Sequence, residues 1–246
     1  MEFLIVCPLA LLAGFVDAVA GGGGLVSIPA YLFAGLPVHQ AIGTHKLSSS
    51  MGTLAATWRF APSRYLVPRL VAVGVACGLA GSLCGSNLAL MTDEAVIKGL
   101  MLAALPVVAF YVLRTKNLDR HAGDERPMRQ TAMFTACIAL VVGVYDGFYG
   151  PGTGTFLILL LTGVAHMGLR EANGTTKAVN LATNLAALSV FLINGVVLLP
   201  LGLAAGAFNI AGNLLGARLF AKDGSRITRP IIGIVLALFA AKLLVG

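Results

Sequence analysis

Asp17-Ala-Val-Ala-Gly-Gly-Gly-Gly-Leu25 places a carboxylate and four consecutive glycines inside an otherwise apolar run. Glycine is a poor residue for a helix interior, where it costs about 1 kcal/mol relative to alanine. A related stretch, Asp146-Gly-Phe-Tyr-Gly-Pro-Gly-Thr-Gly-Thr155, follows 129 residues later. The sequence therefore predicts two apolar helices, each broken by glycines shortly after an intramembrane aspartate.

The overall composition is that of a membrane protein. Of the 246 residues, 58% are hydrophobic and only 11% are charged, and the mean hydropathy is +0.90. A soluble domain carries roughly 25% charged residues, whereas several stretches here approach the roughly 20 apolar residues that span a bilayer. These features predict an all-α polytopic membrane protein in the lipid bilayer. The first segment lacks a basic flank, so we expect it to stay in the mature protein.

The charged residues and cysteines exclude some other classes of function. The net charge of +7 does not indicate a nucleic-acid partner, because the basic residues lie in short loops between apolar segments. That distribution reports membrane orientation. The cysteines lie within apolar segments and form no C-x-x-C pair, which favours a packing role. We therefore expect neither a metal nor another cofactor.

The chain divides into two similar halves. We expect a first transmembrane repeat at 1–113, a basic linker at 114–129 and a second repeat at 130–246, with about eight to ten membrane helical elements in all. Matching positions fall in order at nearly constant spacing: Gly14 and Asp17 with Gly143 and Asp146, Gly21 and Gly23 with Gly150 and Gly152, Ala41 to Lys46 with Ala172 to Lys177, and Gly81 and Gly85 with Gly212 and Gly216.

The loops predict that the two repeats have opposite orientations. The Arg-containing loops at 59–69, 114–129 and 218–229 should be cytoplasmic, whereas the acidic loop at 91–94 and the uncharged loop at 195–200 should be outside. Corresponding loops of the two halves therefore fall on opposite faces, and both termini are predicted to be periplasmic. Inverted repeats with broken helices near the midplane are typical of secondary transporters.

The ionisable residues within the apolar segments could carry the chemistry. Asp17 and Asp146 balance Lys46 and Lys177, and His45 lies beside Lys46. A charge in lipid costs at least about 2.5–3.5 kcal/mol, so such groups usually pair or face a cavity. One interpretation is two structural ion pairs that lock the halves together. The other is an anion site, in which the lysines supply charge and the glycine breaks supply helix N-termini and backbone N–H donors.

Other classes of protein fit less well. An intramembrane hydrolase is disfavoured because the chain has no G-x-S-x-G motif. Intramembrane aspartyl proteases carry a Gly-x-Gly-Asp motif, whereas Asp17 follows Gly14-Phe-Val. We therefore do not expect an enzyme. A channel shares its lining with a carrier and stays open as an alternative, although broken inverted repeats favour a carrier.

The motifs resemble those of the sulfite exporter TauE/SafE family of bacterial membrane proteins. The resemblance rests on Asp17 with its glycine break, Pro29, and the Gly-Thr-x-Lys sets ending at Lys46 and Lys177, and it covers essentially the whole chain. It implies export of small anions, especially sulfite and organosulfonates such as sulfoacetate or sulfolactate, across the bacterial inner membrane. A proton is the candidate coupling ion, and the protein could be a monomer or a homodimer.

The residues and the resemblance together give one set of candidate site residues. Asp17 and Asp146 are expected to pair with the lysines or carry the coupled proton. The positions expected to contact the substrate are Gly21, Gly22, Gly23, Gly24, Thr44, His45, Lys46, Ser48, Gly150, Gly152, Thr153, Thr175, Lys177 and Asn180.

Overall fold

A computed structural model describes residues 1–60, 66–97, 99–100 and 126–245, with the side chains of 60, 223–229 and 231–245 left aside. Most of the predicted span at 95–113 and of the predicted linker at 114–129 lies outside the described residues, as does part of the loop at 59–69. The described chain forms α1 (Glu2–Ala20), α2 (Gly24–Phe33), α3 (Val38–Phe60), α4 (Pro68–Leu90), α5 (Met128–Phe148), α6 (Thr153–Gly163), α7 (Leu169–Ile193) and α8 (Leu199–Val245).

The helices confirm the predicted all-α membrane fold. No β-strand occurs among the described residues. Within the described ranges, five helices are long and apolar enough to cross a membrane: α1, α4, α5, α7 and the part of α8 from Leu199 to Lys222. α2 and α6 are apolar but have only 10 and 11 residues. At 1.5 Å per residue they reach about 15–17 Å, half of the roughly 30 Å hydrocarbon core.

Both predicted glycine breaks are present. α1 ends at Ala20 and is capped by Gly21, whose φ of 70° lies in the left-handed region that favours glycine. The Gly21 N–H donates to Asp17 O at 2.8 Å. The second break turns through Gly150 and Gly152, with φ of 94° and 78°, before α6 begins at Thr153. The short helices α2 and α6 therefore start inside the protein rather than at its surface.

The packing of the helices is symmetric under exchange of the two halves. α1 packs on α8, and the corresponding helix α5 packs on α4. Gly212 of α8 sits against the carbonyl of Leu11, while Gly81 of α4 sits against the carbonyl of Leu140, 129 residues after Leu11. One turn further on, Gly216 meets Phe15 and Gly85 meets Val144 in the same way. The small residues thus allow close helix contact in both halves.

α3 and α7 begin at opposite ends of α4. Near the start of α4, Leu70 shares an apolar cluster with Ala165 and Met167, which lie in the loop before α7. At the other end, the His39 Nε2 of α3 is 2.9 Å from the carbonyl oxygen of Ala89. This antiparallel arrangement is the one that inverted repeats require, and the orientation of the halves in a membrane stays a prediction.

One predicted loop is absent from the structure. The basic stretch 218–229 was expected to separate two spans, but α8 continues through it and through Pro230 to Val245. The stretch contains a single glycine, no proline, and several good helix formers, so its local preference is helical. Charge alone therefore misidentified it as a loop.

Candidate functional site

The two glycine breaks meet at the centre of the molecule. The Thr155 N–H donates to Gly21 O at 3.2 Å, and the Thr155 hydroxyl donates to Ala20 O at 2.8 Å. Only glycine fits this approach, because a Cβ at Gly154 would lie 2.6 Å from the Gly21 Cα. Thr155 of the second half thus donates hydrogen bonds to the backbone carbonyls at the break of the first half.

Two buried ion pairs join the halves beside the breaks. Lys46 Nζ lies 2.8 Å from Asp146 Oδ2, and Lys177 Nζ lies 3.1 Å from Asp17 Oδ2 and also donates to Asp17 O. Both lysine side chains are fully buried. Each pair connects a lysine of one predicted repeat to an aspartate of the other. Such pairing is what a low-dielectric interior demands of buried charges.

Asp146 has a second partner at the start of α6. The Thr153 hydroxyl is 2.7 Å from Asp146 Oδ1 and also 2.7 Å from Gly150 O. Since a hydroxyl has one proton, it can donate to only one of these oxygens at a time. Asp146 is therefore held between a lysine of α3 and the first residue of a helix from its own half.

A small polar cavity lies between the breaks. Its space is on the order of one water molecule. The N-termini of α2 and α6 both reach it, through Gly24 and Thr153, so two positive helix ends point at one place. The cavity is lined by Asp17, Gly21, Gly24, His45, Ser49, Asp146, Gly150, Thr153, Gly154, Asn180 and Asn184.

Comparison with known proteins gives the family. The sulfite exporter TauE/SafE family model matches residues 6–243. The chain belongs to the TauE/SafE family. It is 35% identical over 246 residues to a probable membrane transporter protein, ORF9, of Sinorhizobium sp., covering 99% of this chain and 92% of that one. No solved structure matches it.

Two further relatives agree with this assignment. A probable membrane transporter protein of Haemophilus influenzae is 33% identical over 233 residues, covering 94% of this chain and 90% of the relative. YfcA of Escherichia coli strain K12, also a probable membrane transporter protein, is 32% identical over 240 residues, covering 96% and 87%. The TauE/SafE protein is accordingly a membrane transporter.

Half of the predicted site residues of this TauE/SafE protein line the cavity, and the other half do not. Lys46 and Lys177 do not line the cavity, but each contacts an aspartate that does. Thr44 Oγ1 accepts the N–H of Leu198 at 3.0 Å, at the start of α8. Ser48 accepts a hydrogen bond from the Tyr31 hydroxyl at 2.9 Å. Gly22, Gly23, Gly152, Thr175, Lys46, Ser48, Thr44 and Lys177 lie outside the cavity lining.

His45 is held by a neighbour on α2. Its Nδ1 is 2.8 Å from Ser27 Oγ, and Ser27 can also donate to Gly23 O at 3.2 Å. The opposite ring nitrogen, Nε2, lies on the side of Gly24 and the cavity. The ring is thus held on one edge by Ser27, and its other edge lies on the side of the cavity.

Sequence reasoning missed three lining residues, Ser49, Gly154 and Asn184. The repeat held the signal for Ser49, because it lies 131 residues before the predicted Asn180, as Lys46 lies before Lys177. Asn184 follows Asn180 by one helical turn and lies within hydrogen-bond reach of it and of Ser49, at 3.4 and 3.3 Å. Applying the repeat spacing and the helical period together would have found both residues.

Proposed function

We propose that this TauE/SafE protein is a secondary transporter that exports small sulfur-containing anions, such as sulfite or organosulfonates, across the bacterial inner membrane. The observation that carries the proposal is the convergence of two helix N-termini and two cross-repeat ion pairs on one polar cavity. An oxyanion matches that chemistry because it accepts several hydrogen bonds and carries negative charge. The membership in the TauE/SafE family supports the same class of substrate.

The charges of the site suggest how an anion and a proton are coupled. The two lysines and two aspartates sum to zero, while each helix N-terminus contributes about half a positive charge. An arriving anion competes with Asp17 or Asp146 for a lysine. If that aspartate takes up a proton, the cavity keeps its charge balance and the lysine is free to hold the anion. A proton is therefore our candidate for the coupling ion.

The location of the site favours alternating access. The cavity lies where the two halves meet, and each ion pair crosses that boundary. Breaking one pair at a time would let one half move while the other stays locked, which is the rocking motion expected of inverted repeats. The present cavity is smaller than an organosulfonate, so we assign this structure to an occluded state. In this scheme the N-terminus lies in the periplasm, and a monomer suffices for it. The periplasmic C-terminus predicted from the sequence required a loop at 218–229, where α8 instead continues.

The alternatives are an anion channel and a carrier of another small oxyanion or a carboxylate. Counterflow in proteoliposomes separates the first, because a channel does not accumulate labelled substrate against unlabelled substrate. A thermal-shift screen of the purified protein with sulfite, thiosulfate, sulfate, sulfoacetate, taurine and simple carboxylates separates the second. We expect sulfite or a sulfonate to stabilise the protein most, and exclusive stabilisation by carboxylates would contradict the proposed cargo.

The lysines provide the sharper test. Lys46→Ala and Lys177→Ala should each abolish anion binding while leaving membrane insertion intact. Lys222→Ala is the matched control, since Lys222 is exposed on α8. If both buried-lysine variants bind and transport like the control, the charged-site model is wrong.

A further inference from the structure

α7 carries a polar face that extends beyond the cavity. Lys177, Asn180 and Asn184 follow one another at helical spacing, and Asn173 precedes Lys177 by one turn on the same face. Lys177 holds Asp17, while Asn180 and Asn184 line the cavity. Asn173 extends this face toward the start of the helix, and it belongs neither to the ion pairs nor to the cavity lining.

The side chain of Asn173 is buried without a partner. It is 0% exposed, and neither its Nδ2 nor its Oδ1 forms a hydrogen bond within the described part of the chain. Thr176, which borders the same face, is equally buried, and its hydroxyl has no partner there either. Buried polar groups are almost always satisfied, so each exception requires a reason. One such reason is that the side chain binds a ligand in another conformation of the protein.

The corresponding position of the first half is apolar. Ile42 lies 131 residues before Asn173, at the spacing that relates Lys46 to Lys177. Ile42 is fully buried in an apolar cluster with Val38 and Phe191. The polar face of α3 therefore stops at the cavity, whereas the polar face of α7 continues past it. The two sides of the site therefore differ in polarity at this position.

Asn173 lies toward the basic end of the molecule. α7 starts beside Arg126, whose Nη2 is 3.2 Å from His166 Nε2 in the loop before the helix. The described part of this end also carries Arg69, Arg129, Arg170 and Glu171. The opposite end, where α3 starts, carries Asp93, Glu94 and His39. An anion is attracted to the first of these ends and repelled from the second.

We propose that Asn173, with Thr176 beside it, lines the route by which the anion passes between the cavity and the basic end. When the halves separate on this side, the amide N–H₂ and the hydroxyl donate to the oxygens of the anion. Ile42 seals the equivalent position on the other side. The identity of the cargo rests on the proposed function, whereas the existence of the route does not.

Cysteine accessibility tests the route directly. Cys7, Cys77, Cys84 and Cys137 are first replaced by alanine, and Asn173→Cys, Ile42→Cys and Val179→Cys are made in that background. Val179 is the matched control, because it lies on α7 but packs against Gly74 and Gly78 of α4. Each variant is treated with a membrane-impermeant maleimide in right-side-out and in inverted vesicles.

We expect Asn173→Cys to react at least tenfold faster than Val179→Cys, and only from the face that bears the start of α7. Ile42→Cys should not react from that face. Sulfoacetate, which does not itself consume maleimide, should slow the reaction of Asn173→Cys. Equal reactivity of Asn173→Cys and Val179→Cys overturns the route. Side-specific labelling that no sulfonate slows supports the route and contradicts the sulfonate cargo.

A substitution by leucine distinguishes transport from packing. Leucine branches at Cγ as asparagine does and removes both unpaired polar atoms, which offsets the cost of its larger volume. Asn173→Leu should therefore keep the melting temperature close to that of the parent while transport falls at least tenfold. Asn173→Ser, which keeps a donor, should retain most of the transport. If Asn173 only packed, the leucine variant would transport normally, and that result overturns the proposal.

Discussion

The Lys46–Asp146 pair allows the structural and functional roles of the buried charges to be separated. At 2.8 Å, with both side chains nearly unexposed, removal of one partner leaves the other charge uncompensated. We expect Asp146→Asn to lower the free energy of unfolding by about 3–5 kcal/mol, as for other buried pairs. The double variant Lys46→Met, Asp146→Leu leaves no unpaired charge and should recover much of that loss in thermal unfolding experiments in detergent.

Transport by the same double variant then decides between the two interpretations. If the pair only locks the halves, the neutral double variant should fold and show counterflow. If Lys46 holds the anion, the variant should fold and show none, which is the outcome we expect. The corresponding pair, Lys177 with Asp17, should behave in the same way because it occupies the equivalent position.

The breaks between α1 and α2 and between α5 and α6 were predictable because glycine leaves a strong local signature. The run at 21–24 and the Gly-Pro-Gly at 150–152 interrupt apolar segments at matched spacing, and each break is found where it was expected. The contact between the two breaks was not predictable. It depends on the hydrogen bonds from Thr155 to Ala20 and Gly21, which join residues far apart in sequence and leave no local pattern.

Because the two breaks are in contact, substitution by alanine should have different effects at Gly154 and Gly163 of α6. In Gly154→Ala the new Cβ would lie 2.6 Å from the Gly21 Cα, so the breaks must separate. We expect a loss of about 1–3 kcal/mol in stability, typical of overpacking, and a larger loss of transport. Gly163→Ala meets nothing within 4 Å and should leave thermal stability and counterflow unchanged. Equal effects at both positions would contradict the close contact of the breaks.

The arrangement of the whole chain was predicted only in part. The repeat spacing paired Gly81 with Gly212, and the structure places both against equivalent carbonyls. The pairing of each aspartate with the lysine of the other half could not be read from spacing, because either lysine could balance either carboxylate. The loop at 218–229 was predicted from charge alone and is helical, since a basic sequence without proline has no local reason to leave a helix.

Epitope tags in the turns before α3 and α7 test the inverted arrangement of the halves. Gly35 and Gly168 occupy equivalent turns, and a Cβ at either glycine meets nothing within 4 Å, so a tag should be tolerated. If the halves are inverted, an antibody should reach the tag at Gly35 in intact spheroplasts and the tag at Gly168 only after permeabilisation. A tag at Gly195 serves as the control, because Leu198 bonds to Thr44 near the start of α3 and should share the face of Gly35. Tags at Gly35 and Gly168 exposed on one face would mean parallel repeats, and rocking of inverted halves about the central cavity would have to be abandoned.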